Sequence, residues 1–259
     1  MTALFVVIAV VYGLLIGSFL NAWAWRLAHG EKITEGRSHC PQCGAQIRAY
    51  DNVPLVSWLL LLRGKCRDCG APIHWRYPAG EALTGVLFGC VVAYVGVSWW
   101  LVPYLLFVST MILVSQVDLE IQIIPDVVIL PAAAIGLPLM IWLDHDPWWE
   151  WPVAGIGAAL FLWGIAWLYE RVRHVEGMGF GDVKMALCMG VYLGAAVVPA
   201  LFIGFVGGAV IGVGLMVGKG KDAKTAVPFG PFLAAGAVIC LFAGQWLIDA
   251  YLGLALSDR

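Results

Sequence analysis

Charge is what this chain has least of. Asp, Glu, Lys and Arg make up 12% of its 259 residues, about half the ~25% of an ordinary soluble domain. That scarcity excludes a soluble enzyme, and the 61% apolar content excludes a disordered chain. No basic block dominates and the net charge is −2, so the electrostatic footprint of a nucleic-acid binder is missing. No Lys or Arg precedes Arg26. Residues 3–25 therefore lack the leading positive charge of a secretory signal and read as a retained first membrane span. No repeat of fixed period is present either.

What remains is mostly apolar. A helical span takes ~20 such residues, and the 61% apolar content is enough for seven or eight. The runs are long and do not alternate, which selects helices over a closed barrel. After residues 3–25 they recur at about 79–97, 101–117, 126–143, 152–170, 183–198, 199–217 and 231–252. The expected fold is an all-α polytopic membrane protein of about eight transmembrane helices, with both termini outside. Its expected organisation is a first span at 1–25, a cytoplasmic segment at 26–78 and a seven-helix membrane domain at 79–259. The segments 26–78, 118–125, 171–182 and 218–230 then share one side and hold or adjoin fourteen of the fifteen Lys and Arg. By the positive-inside rule that side is cytoplasmic. The opposite loop, 144–151, has Asp144, Asp146, Glu150 and a Trp cluster but no basic residue. Between residues 77 and 170 no Lys or Arg occurs, so orientation there rests on counting spans.

The segment 26–78 contains Cys40-Pro-Gln-Cys43-Gly44 and Cys66-Arg-Asp-Cys69-Gly70. Each C-x-x-C puts two sulfurs on one tight turn, and the Gly after it can adopt the left-handed backbone that such a turn needs. Four thiolates then surround one Zn2+ with no open position, the pattern of a structural site. Such a site folds a small loop-rich segment that lacks a core of its own. Arg37, Arg48, Arg63, Lys65 and Arg67 lie nearby to offset its negative charge. The rival reading is two disulfides, which a cytoplasmic placing disfavours. Cys90, Cys188 and Cys240 fall in apolar runs and read as small buried hydrophobes.

Acids at a membrane edge are costly and so are functional candidates. Asp118 falls at the cytoplasmic end of the third span and Asp182 at that of the sixth, 64 positions later. The topology gives them matching depth. Two close carboxylates cannot both ionise easily, and one then keeps a proton. Such a pair can hydrolyse a peptide bond, with one group taking a proton from water while the other polarises the carbonyl. The plain alternatives are a helix cap at Asp182, another at Asp126 after Pro125, and solvated loop acids at Asp118 and Glu120. The run Gly177-Met178-Gly179-Phe180-Gly181-Asp182 favours a site, because Gly lets a neighbouring backbone, or a substrate strand, approach without obstruction. Two other function classes stay open: a transporter or channel with acids lining a cavity, and a non-enzymatic assembly protein that docks through the Cys knuckles.

Taken together, these segments resemble the type IV prepilin peptidases. The resemblance is carried by Gly17-Ser-Phe-Leu-Asn21, the two knuckles, Asn52-Val-Pro-Leu-Val-Ser57 and Arg63-Gly-Lys-Cys66. It continues through Arg76-Tyr-Pro-x-x-Glu81, Asp118 with Ile124-Pro125-Asp126, Gly177 to Lys184, and Pro228-Phe-Gly-Pro231. It implies a bifunctional enzyme of the bacterial inner membrane. Such an enzyme removes the basic leader of prepilins or pseudopilins after a Gly, on the cytoplasmic side. It then methylates the new N-terminus with S-adenosylmethionine. Carried over residue by residue, the resemblance makes Asp118 and Asp182 the catalytic pair. Asp126, Gly179, Gly181 and Lys184 become supporting residues, and Cys40, Cys43, Cys66 and Cys69 the zinc ligands. Gly64 and Lys65 become the contacts to the methyl donor, and Glu81 is a further candidate for structure or methylation. Oligomeric state is left open.

Overall fold

A backbone in lipid has no water to bond to, so an apolar chain closes its hydrogen bonds inside helices. The computed structural model describes residues 2–34, 38–144, 147–174, 178–219 and 228–257. Among them are eight α-helices: α1 Thr2–His29, α2 Arg76–Val95, α3 Leu101–Ile121, α4 Asp126–Leu143, α5 Glu150–Arg173, α6 Phe180–Leu193, α7 Val197–Lys219 and α8 Gly230–Ser257. Outside them lie a 3-10 turn at Ala49–Asn52, a π-helical turn at Ser57–Leu61 and a 3-10 turn at Gly194–Ala196. The β structure among the described residues is two isolated bridges, His39 with Gln46 and Lys65 with Pro72.

Among the described residues, seven stretches are long and apolar enough to cross a membrane. Seven differs from eight because Phe180–Gly214 is one unbroken apolar stretch of 35 residues. As a single helix it would extend ~52 Å, far beyond a ~30 Å hydrocarbon core. The backbone breaks instead at Gly194, where φ is +55°, and two helices result. Faces of these helices expose apolar rows at helical spacing: Leu4, Val7, Val11 and Leu15 on α1, and Val153, Ile156, Leu160, Trp163 and Trp167 on α5. Such rows would aggregate in water and are suited to lipid. The chain is a multi-pass membrane protein.

The chain divides into two compact units, Met1–Gln116 and Val117–Arg259. In the first, α1 packs on α2 through small residues, as membrane helices do. A methyl group at Gly17 would lie 2.8 Å from Glu81 Cα, and one at Gly13 2.8 Å from Gly85 Cα. Asn21, buried one turn after Gly17, donates from Nδ2 to Tyr77 O and accepts at Oδ1 from Gln116 Nε2, both at 2.8 Å. The Gly17–Asn21 motif is thus the face of α1 that fixes α2 and the end of the unit's third helix.

In the second unit, α5 and α6 touch backbone to backbone, since a Cβ at Gly190 would be 2.6 Å from Gly155 Cα. The Tyr192 hydroxyl, wholly buried, donates to Ala132 O at 2.8 Å and ties α6 to α4. Gly204 meets Leu233, and Gly208 meets Phe229, so α7 and α8 form an antiparallel pair. Met185, Met189, Ile129, Met140, Leu162 and Leu233 fill the core.

Candidate active site and metal centre

The second unit brings Asp118 and Asp182 together. Asp118 sits in the last turn of α3 with a buried side chain. Asp182 is the third residue of α6 and half-buried. Gly179 is the helix N-cap, in extended backbone, and its carbonyl accepts the Asp182 N–H at 3.1 Å. Asp182 is therefore in the first turn and is not the cap. Both acids line one cavity of about 1010 Å³, and they lie close enough for their charges to interact.

Three features hold this geometry. The Gly230 N–H, at the start of α8, donates to Asp118 Oδ2 at 2.8 Å in a buried bond. A helix start offers free N–H groups and positive dipole to an anion. The Asp118 carbonyl accepts the Gln122 N–H at 2.9 Å, and Gln122 turns the chain from α3 toward α4 with φ of +57°. Ile124, two residues on, is buried against Gly181, where a Cβ would come within 2.9 Å of the Ile124 Cβ. Gly181 is thus a packing requirement between the two acid-bearing segments. Gly179 differs: a methyl group there meets nothing nearer than Asp182 Oδ2 at 3.8 Å, so it leaves the cavity wall open.

Asp126 and Lys184 line the same cavity and bind each other. Lys184 Nζ lies 2.7 Å from both Asp126 oxygens, and over the Phe180 ring at 5.1 Å. The charge of Lys184 is therefore engaged by Asp126 rather than by Asp182. Gly177 lies outside the described residues. Reading the sequence had assigned no role to Gly230, Gln122, Phe205 or Phe229, all of which meet the acids or line the cavity. Pro228-Phe-Gly-Pro231 was a signal for Gly230 and Phe229. Gln122 and Phe205 left none.

In the first unit the Sγ atoms of Cys40, Cys43, Cys66 and Cys69 all lie within 4.8 Å of one another, and Cys40 Sγ is 3.9 Å from Cys69 Sγ. Tetrahedral zinc with ~2.3 Å bonds needs sulfurs ~3.8 Å apart, whereas a disulfide needs ~2.05 Å. The cluster fits a metal, and all four thiols are unbridged. The two knuckles share one backbone pattern. Cys40 N bonds Ala45 O and Gly44 N bonds Cys40 O; Cys66 N bonds Ala71 O and Gly70 N bonds Cys66 O, all at 2.8–2.9 Å. Gly44 and Gly70 both have φ of +71°. Arg67 reaches Asp51 through Nε at 2.9 Å and Nη2 at 2.6 Å. That guanidinium holds the buried Asp51 carboxyl below the usual carboxylate range. Arg67 is thus committed to Asp51. Arg48 binds the Tyr50 hydroxyl at 2.7 Å and lies 3.9 Å from Asp68. Arg37 lies outside the described residues.

Beside the cluster is a cavity of about 330 Å³ whose walls include Asn21, Trp25, Asn52, Trp58, Tyr77 and Glu81. Gly64 and Lys65 are not among its walls. Gly64, with φ of +72°, lies under Trp58, whose Cζ2 would be 3.3 Å from an added Cβ. Lys65 is exposed and bridges to Pro72.

Two family descriptions match this chain: Bacterial Peptidase A24 N-terminal domain over residues 11–95, and type IV leader peptidase family over residues 105–213. The prepilin leader peptidase/N-methyltransferase of Stutzerimonas stutzeri is 34% identical over 280 aligned positions, which cover 97% of this chain and 95% of that protein. The chain belongs to the type IV leader peptidase family. Proteins of the same name from Pseudomonas aeruginosa and Burkholderia pseudomallei are each 33% identical, covering 97% and 91% of this chain and 94% and 84% of theirs. No solved structure matches the chain. The leader-peptidase match contains both acid-bearing segments, and the N-terminal match contains all four cysteines.

Proposed function

We propose that this member of the type IV leader peptidase family is a membrane aspartyl endopeptidase. It removes the basic leader of prepilins or pseudopilins after a Gly, on the cytoplasmic side of the inner membrane, and N-methylates the new terminus. The observation that carries the peptidase reading is the shared cavity: Asp118 and Asp182, 64 positions apart, both line it. Hydrolysis follows from that arrangement. One carboxylate takes a proton from a water held between the pair. The oxygen of that water bonds to the scissile carbonyl carbon, while the other, protonated carboxyl donates to the carbonyl oxygen. The proton taken from water then reaches the leaving amine as the C–N bond breaks. The Gly230 N–H fixes one Asp118 oxygen, which orients the group and leaves its second oxygen for water. Gly179 leaves room for an extended peptide along the wall. The Asp126–Lys184 pair keeps both of its charges compensated at the cavity edge.

The four cysteines hold a structural Zn2+ under this reading, and the matching sulfur spacing supports it. S-adenosylmethionine supplies an electrophilic methyl group on a sulfonium. The walls of the 330 Å³ cavity suit that molecule, because Trp25, Trp58 and Tyr77 offer faces to the adenine and the cation, and Asn52 and Glu81 offer acceptors. Gly64 serves there by seating Trp58. The deciding experiment incubates purified full-length enzyme with a prepilin. The parent cleaves after the Gly, while Asp118→Asn and Asp182→Asn, still folded, each lose at least ~10³-fold, with the double variant no worse than either single. Cleavage by either variant at the parent rate overturns the pair. With S-adenosylmethionine added, the mature N-terminus gains one methyl by mass spectrometry.

A further inference from the structure

We propose that residues 53–61 form an apolar foot that rests in the lipid–water interface of the bilayer and seats the cysteine-knuckle segment on the membrane. The foot is not a span. It nevertheless exposes Val53 (41%), Val56 (45%), Leu59 (56%), Leu60 (71%) and Leu61 (50%). These side chains are presented by a fixed backbone. Ser57 Oγ donates to Val53 O at 2.6 Å, Leu62 N bonds Ser57 O at 2.7 Å, and Gly64 N bonds Trp58 O at 2.9 Å. Trp58 points the other way and donates to Ile73 O at 3.1 Å, so the turn has an inner face and an outer face. Five large exposed apolar groups within nine residues make an apolar surface that a water-exposed loop does not retain.

The level of the foot is set by α2. Glu81, the sixth residue of that helix, accepts the Leu55 N–H on Oε2 at 2.8 Å. Leu55 has φ of +58°, a backbone that a branched side chain rarely adopts, and this bond holds it there. Glu81 lies ~7.5 Å along the helix from its first residue. The foot is therefore tied beside the first two turns of a membrane span. That span opens with the exposed Trp75 and with Tyr77, the residue types of the interfacial belt. Arg63 and Lys65, both exposed, follow the foot directly and suit anionic headgroups. The apolar side chains, the adjacent cations and the tether to a span edge all point to lipid as the occupant.

The test uses full-length enzyme in vesicles of phosphatidylcholine and phosphatidylglycerol, with the photoreactive residue p-benzoylphenylalanine at position 60 and, separately, at position 59. Val7, exposed on α1 within the apolar run, carries the same probe as the lipid standard. Only protein that still cleaves a prepilin at the parent rate is irradiated, which sets misfolded material aside. Phospholipid adducts at 60 and 59, in a yield comparable with position 7, are the expected result. Adducts at 7 with none at 59 or 60 overturn the proposal. So do adducts at 59 or 60 to a second copy of the chain or to added prepilin in place of lipid.

Discussion

Replacing Gly230 by Ala puts the geometry of the acid pair to its sharpest test. The added Cβ would stand 2.8 Å from Asp118 Oδ2 and 3.1 Å from its Cγ, against 3.4 Å or more for ordinary contact. Gly230 has no positive φ, so backbone strain does not enter and the effect is one of space. Either the carboxylate or the start of α8 must give by about 0.6 Å. Moving the carboxylate also lengthens its 2.8 Å bond from the Gly230 N–H, a charge-assisted bond of a kind worth ~1.5–3 kcal/mol. A 1 Å misplacement of a reacting group costs ~10²-fold, so kcat for prepilin cleavage should fall ~10- to 100-fold. KM should change little, because the displacement is confined to the acid that acts on the scissile bond. Gly157→Ala on α5 is the control, since its methyl group meets nothing within 4 Å. The assay is steady-state cleavage by purified enzyme, with both variants checked by thermal unfolding. Gly230→Ala at full kcat would refute the reasoning, as would a loss shared equally by Gly157→Ala.

Three further outcomes follow. Lys184→Met and Asp126→Asn each remove one half of a pair whose side chains are 24% and 53% exposed. A solvated pair of this kind contributes ~0–1 kcal/mol, so each variant should keep kcat within ~10-fold, and a double-mutant cycle should show a coupling no larger than that. Metal analysis should find one zinc per chain, and Cys40→Ser should lose it together with the protease resistance of residues 38–75, because a bound metal would order such a loop-rich segment. The Asp51–Arg67 bond predicts an acid limb in stability. The folded carboxyl titrates below its usual range, so its contribution is complete above the unfolded value of ~3.9 and is lost as pH falls through the lower folded value. Thermal unfolding between neutral and strongly acidic pH should show that loss in the parent and not in Asp51→Asn, which should already be less stable at pH 7.

The acids and the cysteines illustrate two different kinds of legibility. Each C-x-x-C-G turn is a local object whose ligand spacing is written in a few consecutive residues, and two copies of one turn make one tetrahedral site. Asp118 and Asp182 are legible for another reason. Membrane topology quantises depth, so the order of spans and basic loops points both acids to one edge, an expectation consistent with the cavity that both line. The glycine run allows either close packing or the approach of a substrate strand, and at Gly181 the structure uses it to seat Ile124. A Gly needed for packing and a Gly needed for access look the same in sequence. Gln122 gave no signal, since its left-handed backbone follows from how α3 must turn into α4.

The sequence by itself determined the lipid solvent, the helical spans, the knuckles and the choice of Asp118 and Asp182 as candidate acids. All of these depend on residue type, run length or short-range spacing, which the chain states directly. Only the tertiary structure decided that Lys184 answers Asp126 rather than Asp182, that Gly230 holds Asp118, and that Glu81 ties down Leu55. Those pairings join residues from 26 to 112 positions apart. They are fixed by which helix faces meet once small residues let the backbones close, and that choice belongs to the packed assembly rather than to any local segment.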